Sequence, residues 1–165
     1  MAALTKDYEA MKNSRAKQKK STPAGGPSVS SQLFALKHTA AATPKKASAL
    51  QHCAWSEIEA ESVNPLLERQ LIVGKDLMLA RILMRKGCLV PLHSHVNEQL
   101  SYILEGALKF SIAGRDIVVR AGEVLVIPSH MPHKAEALED TIDVDIFHPP
   151  RADWLNRTDQ YLRSK

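Results

Sequence analysis

The sequence has few cysteines, few aromatic residues and no long apolar run. Only two cysteines, Cys53 and Cys88, occur among 165 residues, and neither belongs to a CxxC pair. A small secreted domain stapled by disulfides normally carries more, so we expect a protein of the reducing cytoplasm. No apolar run approaches the length that spans a bilayer, and the first residues contain no apolar stretch of the signal-peptide type. We therefore expect no membrane partner.

Acidic residues are missing from much of the front of the chain. No Asp or Glu occurs between Ala10 and Ser56, whereas Lys and Arg recur, so the formal charge of +4 belongs largely to this segment. Its composition cannot bury enough apolar surface to offset the entropy of ordering, which predicts a basic disordered tail over residues 1–51. A nucleic-acid-binding arm or an organelle transit peptide are alternatives. No aromatic pattern accompanies the charge, and Asp7 and Glu9 weaken the transit peptide, so we expect no nucleic-acid partner.

The rest of the chain is a series of short apolar runs separated by Gly and Pro. Aromatic residues make up only 5% of the sequence, so Leu, Ile and Val must fill most of the core. Nine strands are predicted, over residues 68–73, 77–85, 89–95, 100–104, 108–112, 117–120, 124–127, 133–137 and 141–148. Strands of this length without a convincing helix between them predict an all-β sandwich or barrel. The composition of residues 77–84 alone would also suit a helix.

The predicted domain spans residues 52–165, and the strands confine its barrel core to about 66–150. Before the strands, a short turn near Trp55 is expected to pack onto the domain. After the strands, Trp154 and Tyr161 indicate one or two short helical turns that cap the barrel, with Thr158 as a possible N-cap.

Two histidines one residue apart mark the candidate site. His93 and His95 would share one face of a strand, and Gln99 follows four residues after the second. His133, from a different strand, could complete the set. Three imidazoles and one amide oxygen predict a site for one divalent transition metal (Zn, Ni, Fe or Mn) with positions left open for a substrate.

The spacing around these residues resembles the two motifs of the cupin superfamily. The first motif has the form G-x5-H-x-H-x3-Q-x6-G and covers residues 87–106. The second has the form G-x5-P-x4-H and covers residues 122–133. The resemblance implies a single conical β-barrel (a double-stranded β-helix, or jelly roll) with its metal inside the wider end. It also implies a homodimer, because cupin barrels often pair through their outer sheets.

Two positions depart from the superfamily pattern. Gln99 stands where a glutamate ligand is usual, and His130 replaces the usual glycine after the second-motif proline. A neutral ligand keeps the metal a stronger Lewis acid, which favours polarising a substrate oxygen over redox chemistry with oxygen. Glu98 would become the ligand if the strand register slipped by one residue. The alternation of the strand favours Gln99, because it shares its parity with His93 and His95.

The last predicted strand adds a second group of polar residues. Asp143, Asp145 and Phe147 share one face, which lies either inside the barrel or on a solvated edge strand. Inside the barrel, a carboxylate beside a cation is suited to general acid–base catalysis. Arg151 could hold a substrate carboxylate through a two-pronged hydrogen bond.

The Gln-containing first motif, together with the sequence D-x-F-x-P-x-R at residues 145–151, resembles the pectin degradation proteins. These are cupins that convert cyclic 4,5-unsaturated hexuronates to their linear keto forms. The resemblance implies a metal-dependent enzyme for a carboxylated sugar, whose metal ligands are His93, His95, Gln99 and His133. It further implies that Asp145 moves the proton, that Arg151 pairs with the substrate carboxylate, and that Phe147 packs on the sugar ring.

Two other classes of function remain open on the sequence. One is a different small-molecule cupin enzyme, namely a dioxygenase, a lyase or an isomerase of another acid. A dioxygenase would consume oxygen, whereas uronate ring opening would consume none. The other is a non-catalytic cupin that binds a small acid or sugar, which would tolerate the loss of Asp145.

Overall fold

The computed structural model describes residues 50–163 of the chain. Ten strands confirm the predicted all-β fold: β1 (Glu61–Asn64), β2 (Leu67–Val73), β3 (Met78–Met84), β4 (Leu89–His93), β5 (Glu98–Glu105), β6 (Ala107–Ile112), β7 (Arg115–Arg120), β8 (Val124–Ile127), β9 (His133–Ala137) and β10 (Thr141–His148). One sheet has six strands in the order β1-β2-β3-β10-β5-β8, and the other has four in the order β4-β9-β6-β7. Neighbouring strands are antiparallel throughout both sheets.

Short helical segments flank the strands at both ends of the described chain. A 3₁₀ turn covers Trp55–Glu57, and two single-turn helices, α1 (Ala152–Leu155) and α2 (Gln160–Arg163), follow the last strand. The predicted C-terminal helical cap is therefore present. Thr158 is not its N-cap, because α2 begins at Gln160 and the Thr158 hydroxyl lies against the carbonyl of Asp153 instead.

The predicted boundary between a tail and a domain, at residues 51 and 52, stays a prediction. Residues 1–49 of the predicted disordered tail lie outside the described residues. Within residues 50–163, no helix is long and apolar enough to cross a membrane.

All nine predicted strands are present. Strand β3 covers Met78–Met84, so the helix that the composition of residues 77–84 would also suit does not form. Strand β1 was not predicted, because Val63 is the one apolar residue among its four. The turn between β6 and β7 needs only Ala113 and Gly114, whose φ angles of 50° and 72° suit a two-residue hairpin.

The interior between the two sheets is mostly apolar, and the central strand β10 adds two acidic side chains to it. Strand β10 lies between β3 and β5, and its inward face carries Asp143, Asp145 and Phe147. The two carboxyl groups are 2% and 6% exposed, so the solvated alternative for this face is wrong. Around them pack buried side chains of both sheets, among them Met78, Ala80, Ile82, Ile103, Leu108, Phe110 and Ile127. A barrel interior of this kind places two acids and an aromatic ring in one enclosed space.

Gly106 is required by the close approach of the chain between β5 and β6. Its φ is 79°, and a Cβ added there would lie 2.6 Å from the Thr141 hydroxyl and even closer to the Asp140 carbonyl.

We expect Gly106→Ala to lower the free energy of unfolding by about 2–4 kcal/mol, because the strain of the positive φ and the clash with the backbone add. Gly114→Ala is the matched control: its φ is similar, 72°, but nothing lies within 4 Å of the added Cβ. Chemical denaturation should show the smaller loss there, and equal losses would contradict the clash.

Candidate metal centre and its cavity

Three histidines meet where strands β4 and β9 pair. His93 ends β4, His133 begins β9, and the two are direct partners in the strand register. His95 follows in the loop after β4. One ring nitrogen from each of the three lies within 4.8 Å of the others. The structure thus brings the three predicted imidazoles into one cluster.

Each imidazole is oriented by a backbone carbonyl. Because a carbonyl oxygen can only accept a hydrogen bond, the ring nitrogen facing it, Nδ1, must carry the proton. The other nitrogen, Nε2, then offers its lone pair to the cluster, as in metal-binding histidines whose second ring nitrogen is held by a hydrogen bond. The carbonyls belong to Pro91 (2.9 Å from His93), Asn97 (2.9 Å from His95) and Met131 (2.8 Å from His133).

The environment of the cluster keeps the rings neutral. Burial, with smaller contributions from nearby cationic groups, lowers the pKa of His93 and His95 to about 4 each. Burial also lowers the pKa of His133. At neutral pH the three rings are therefore unprotonated at Nε2, as metal ligation requires.

Gln99 adds an oxygen to the three nitrogens. Its side-chain nitrogen donates to the Ser101 hydroxyl (2.9 Å) and to Asp145 Oδ1 (2.8 Å), which turns its Oε1 toward His95 Nε2 at 3.1 Å. With His95 neutral, two lone pairs face each other across this distance, an arrangement that a cation between them would stabilise. Glu98, the alternative ligand, is exposed.

The donor set fits a divalent transition metal. Neutral imidazole nitrogens and an amide oxygen suit ions such as Zn²⁺, Ni²⁺, Fe²⁺ or Mn²⁺. His93, His95, Gln99 and His133 would hold the ion.

A pair of carboxyl groups lies directly behind Gln99. Asp145 Oδ1 accepts hydrogen bonds from the Gln99 amide and the Ser101 hydroxyl. Burial raises the pKa of Asp145 to about 6. Burial and the neighbouring charge of Asp145 hold the pKa of Asp143 well above its ordinary value. A carboxyl group that titrates near neutral pH can both accept and donate a proton there.

A cavity opens beside the histidine cluster. Most of its remaining wall is apolar, which lowers the local dielectric constant and strengthens polar contacts made inside. Six of the seven predicted site residues line it, namely His93, Gln99, His133, Asp145, Phe147 and Arg151. The seventh, His95, contacts the ring of Phe147, with ring centroids 5.7 Å apart.

Arg151 is buried in the cavity wall, and part of its guanidinium is already engaged. Its Nε and Nη2 bind the two oxygens of Asp153 at 2.9 and 2.7 Å, and Nη2 also donates to the Tyr161 hydroxyl at 2.8 Å. The edge formed by Nε and Nη2 is thus occupied by Asp153 and is not open to a substrate carboxylate. A ligand would meet the Nη1 side of the guanidinium, whose carbon lies 5.2 Å from the ring centroid of Phe147.

Several lining residues were not predicted from the sequence. Tyr161 and Trp154 were expected only as part of a helical cap, yet both line the cavity. The Tyr161 ring stacks on His93, with centroids 4.6 Å apart. Arg69 also lines the cavity, and its alternation with Leu67 and other inward residues of β2 would have revealed its direction. We call residues 151–163 the C-terminal segment.

Comparison with known proteins agrees with this geometry. A family model described as "Cupin domain" matches residues 80–148. An RmlC-like cupin from Shewanella frigidimarina is 29% identical, covers 64% of this chain and 96% of its own, and superposes with a TM-score of 0.61. KdgF from a Halomonas species is 28% identical, with 64% and 99% covered and a TM-score of 0.61. A predicted oxalate decarboxylase from Thermotoga maritima, 24% identical over 60% and 99% with a TM-score of 0.55, shares the fold. No curated protein sequence matches the chain.

Proposed function

Because this chain carries a cupin domain over residues 80–148, we propose that it is a metal-dependent enzyme that opens the ring of a 4,5-unsaturated hexuronate. The observation that carries the proposal is the position of Gln99. Its oxygen faces His95 in the histidine cluster, and its nitrogen binds Asp145. One amide therefore holds the candidate acid–base group at a fixed place beside the candidate metal ligands. The sequence resemblance to the pectin degradation proteins and the 28% identity with KdgF support the same reaction.

The reaction is an isomerisation that needs no oxidant. The C1 hydroxyl gives up its proton to a base as the bond between C1 and the ring oxygen breaks, which leaves an aldehyde at C1 and an enolate at C5. The enolate takes that proton back at C4 and becomes a ketone, so no atom is gained or lost. A metal held by the three histidines and Gln99 supplies a Lewis acid that polarises substrate oxygens.

The side chains around the cavity are suited to the remaining tasks. Asp145 would carry the proton between the hydroxyl and C4, because its pKa of about 6 allows both protonation states near neutral pH. Arg151 would meet the substrate carboxylate with the part of its guanidinium that Asp153 leaves free. Phe147 offers a buried ring face for the sugar. The apolar wall would keep bulk water away from the enolate.

The proposal is tested by an assay on purified protein of measured metal content. We expect 4,5-unsaturated galacturonate to lose its ultraviolet absorbance rapidly, with no oxygen uptake at an electrode in the same cell. Treatment with a chelator should abolish the loss of absorbance, and a divalent metal should restore it.

Other results would redirect the proposal. Oxygen uptake coupled to substrate loss would identify an oxygenase and contradict ring opening. Bound metal without any change in this substrate would favour another small-molecule cupin or a binding protein. The expected homodimer and cytoplasmic location stay predictions, which size-exclusion chromatography and microscopy of the tagged protein can check.

A further inference from the structure

Arg69 is a buried cation with one unused donor. Its side chain is 0% exposed, and it binds Glu61 through Nε at 2.8 Å and Asp159 through Nη1 at 2.7 Å. Its Nη2 is buried and has no hydrogen-bond partner among residues 50–163. Its guanidinium carbon lies 4.7 Å from the ring centroid of Trp154. Buried guanidinium nitrogens normally find an acceptor, so an unused one indicates that an acceptor arrives from elsewhere.

The unused donor belongs to the wall of the cavity already described, which Arg69 lines. A second buried atom without a partner, Asp143 Oδ1, belongs to the same wall. Arg69 and Asp143 both pair with Ile82 in the strand register, one from each side. Since neighbouring strands are about 4.8 Å apart, their Cα atoms are separated by about 10 Å. Two residues of the cavity wall thus carry a buried polar atom without a partner, a donor nitrogen on β2 and a carboxyl oxygen on β10.

The charge of Arg69 does not depend on a ligand. Arg163 binds the same two carboxylates, Glu61 at 2.7 Å and Asp159 at 2.9 Å, and Arg157 lies 3.8 Å from Glu61, so three cations face two anions in one cluster. Arg163 does not line the cavity. The carboxylates of this cluster offset the charge of the buried Arg69, but they do not accept a hydrogen bond from its Nη2.

We propose that Arg69 Nη2 binds a carboxylate oxygen of a sugar acid in this cavity. The inference deepens the proposed function and rests on it for the class of ligand. A charged donor favours an anionic acceptor over a hydroxyl. Arg151 keeps only Nη1 free, because Asp153 and Tyr161 bind its Nε and Nη2. Arg69 Nη2 is thus a second unused guanidinium nitrogen in the wall, while Asp143 is placed to bind a sugar hydroxyl.

The test measures the binding of a sugar acid that cannot react. We would titrate the full chain, at matched metal content, with D-galacturonate and with its neutral counterpart D-galactose in a calorimeter. Arg69→Gln should raise the Kd for galacturonate about tenfold or more, because a charge-assisted hydrogen bond is lost, and leave galactose binding unchanged. Arg163→Gln is the matched control: it removes another cation of the cluster without touching the cavity, and the Kd should stay within about twofold.

Equal weakening by Arg69→Gln and Arg163→Gln would reduce Arg69 to a structural role and overturn the inference. So would an unchanged Kd in Arg69→Gln, or a wild-type protein that does not prefer galacturonate to galactose. If Arg69→Gln does not fold, Arg69→Lys replaces it. The single ammonium keeps the charge but cannot reach Glu61, Asp159 and a ligand together, so the Kd should again rise.

Turnover of 4,5-unsaturated galacturonate, measured on the same preparations, separates this inference from the proposed function. Binding of galacturonate that depends on Arg69, without turnover, keeps the inference and rejects ring opening. Turnover with a KM unaffected by Arg69→Gln keeps ring opening and rejects the inference.

Discussion

Asp145→Asn should bind as much metal as the wild type and lose at least about a hundredfold in kcat, the effect expected when a general acid–base group is removed. Asparagine has the shape of aspartate, and its oxygen can accept both hydrogen bonds that Gln99 and Ser101 now donate to Oδ1. The orientation of Gln99 is therefore retained, while the proton-carrying group is removed. The measurement is kcat on 4,5-unsaturated galacturonate, beside metal content from elemental analysis.

The matched control for this variant is Asp143→Asn. Asp143 is on the same face of β10 and is also buried, and its carboxyl group interacts with that of Asp145, which is the group that Gln99 binds. We expect Asp143→Asn to lose less turnover than Asp145→Asn, because the proposed proton carrier remains while its neighbour changes. If Asp145→Asn turns over like the wild type, Asp145 is not the acid–base group. If both variants lose activity equally, the effect comes from neutralising any buried carboxyl group rather than from the position of Asp145.

The second large effect is expected for His95→Ala, which should release most of the metal and leave a folded barrel. The variant removes one of the three converging nitrogens, His95 Nε2, which is also the nitrogen that faces Gln99. Removing a residue that only orients a metal ligand already weakens metal binding by about 10–100-fold. We therefore expect that removing His95, a metal ligand itself, lowers the metal affinity by more than about a hundredfold. Competition with a chromophoric chelator measures the affinity.

Thermal unfolding gives an independent readout of the same variant. Metal at a hundredfold excess over its Kd should raise the midpoint of the wild type by about 5–10 °C and leave that of His95→Ala unchanged. His148→Ala is the control, because His148 is exposed and its ring binds the carbonyl of Asp76 instead. Metal affinity equal to the wild type in His95→Ala would mean that the histidine cluster is not the metal site.

Short-range patterns in the sequence were sufficient to predict most of the fold. Alternating apolar residues bounded by Gly and Pro located nine of the ten strands, because each strand has one face in the core. Strand β1 was missed because it lies at the sheet edge, where only Val63 is buried. The parity of Gln99 with His93 likewise predicted which of Glu98 and Gln99 faces inward.

Contacts between distant parts of the chain could not be predicted in the same way. Asp153 binds Nε and Nη2 of Arg151. That contact depends on how the C-terminal segment turns after β10 rather than on any repeating pattern in the sequence. Arg69 and Asp159 are 90 residues apart, and their contact exists only once the barrel is closed. The sequence therefore predicted the residues of one strand face well, and predicted their partners from other elements poorly.

The C-terminal segment has a consequence for how the protein responds to a ligand. It supplies Trp154 and Tyr161 to the cavity, and through Asp159 it also holds Arg69. The docking of this segment and the occupancy of the cavity are then two sides of one coupled equilibrium, and such coupling is reciprocal. A ligand that contacts this segment favours its docked position, and the docked segment favours binding of that ligand by the same coupling factor. A change that undocks the end of the chain is therefore expected to weaken ligand binding by at most that factor, however far it lies from the histidines.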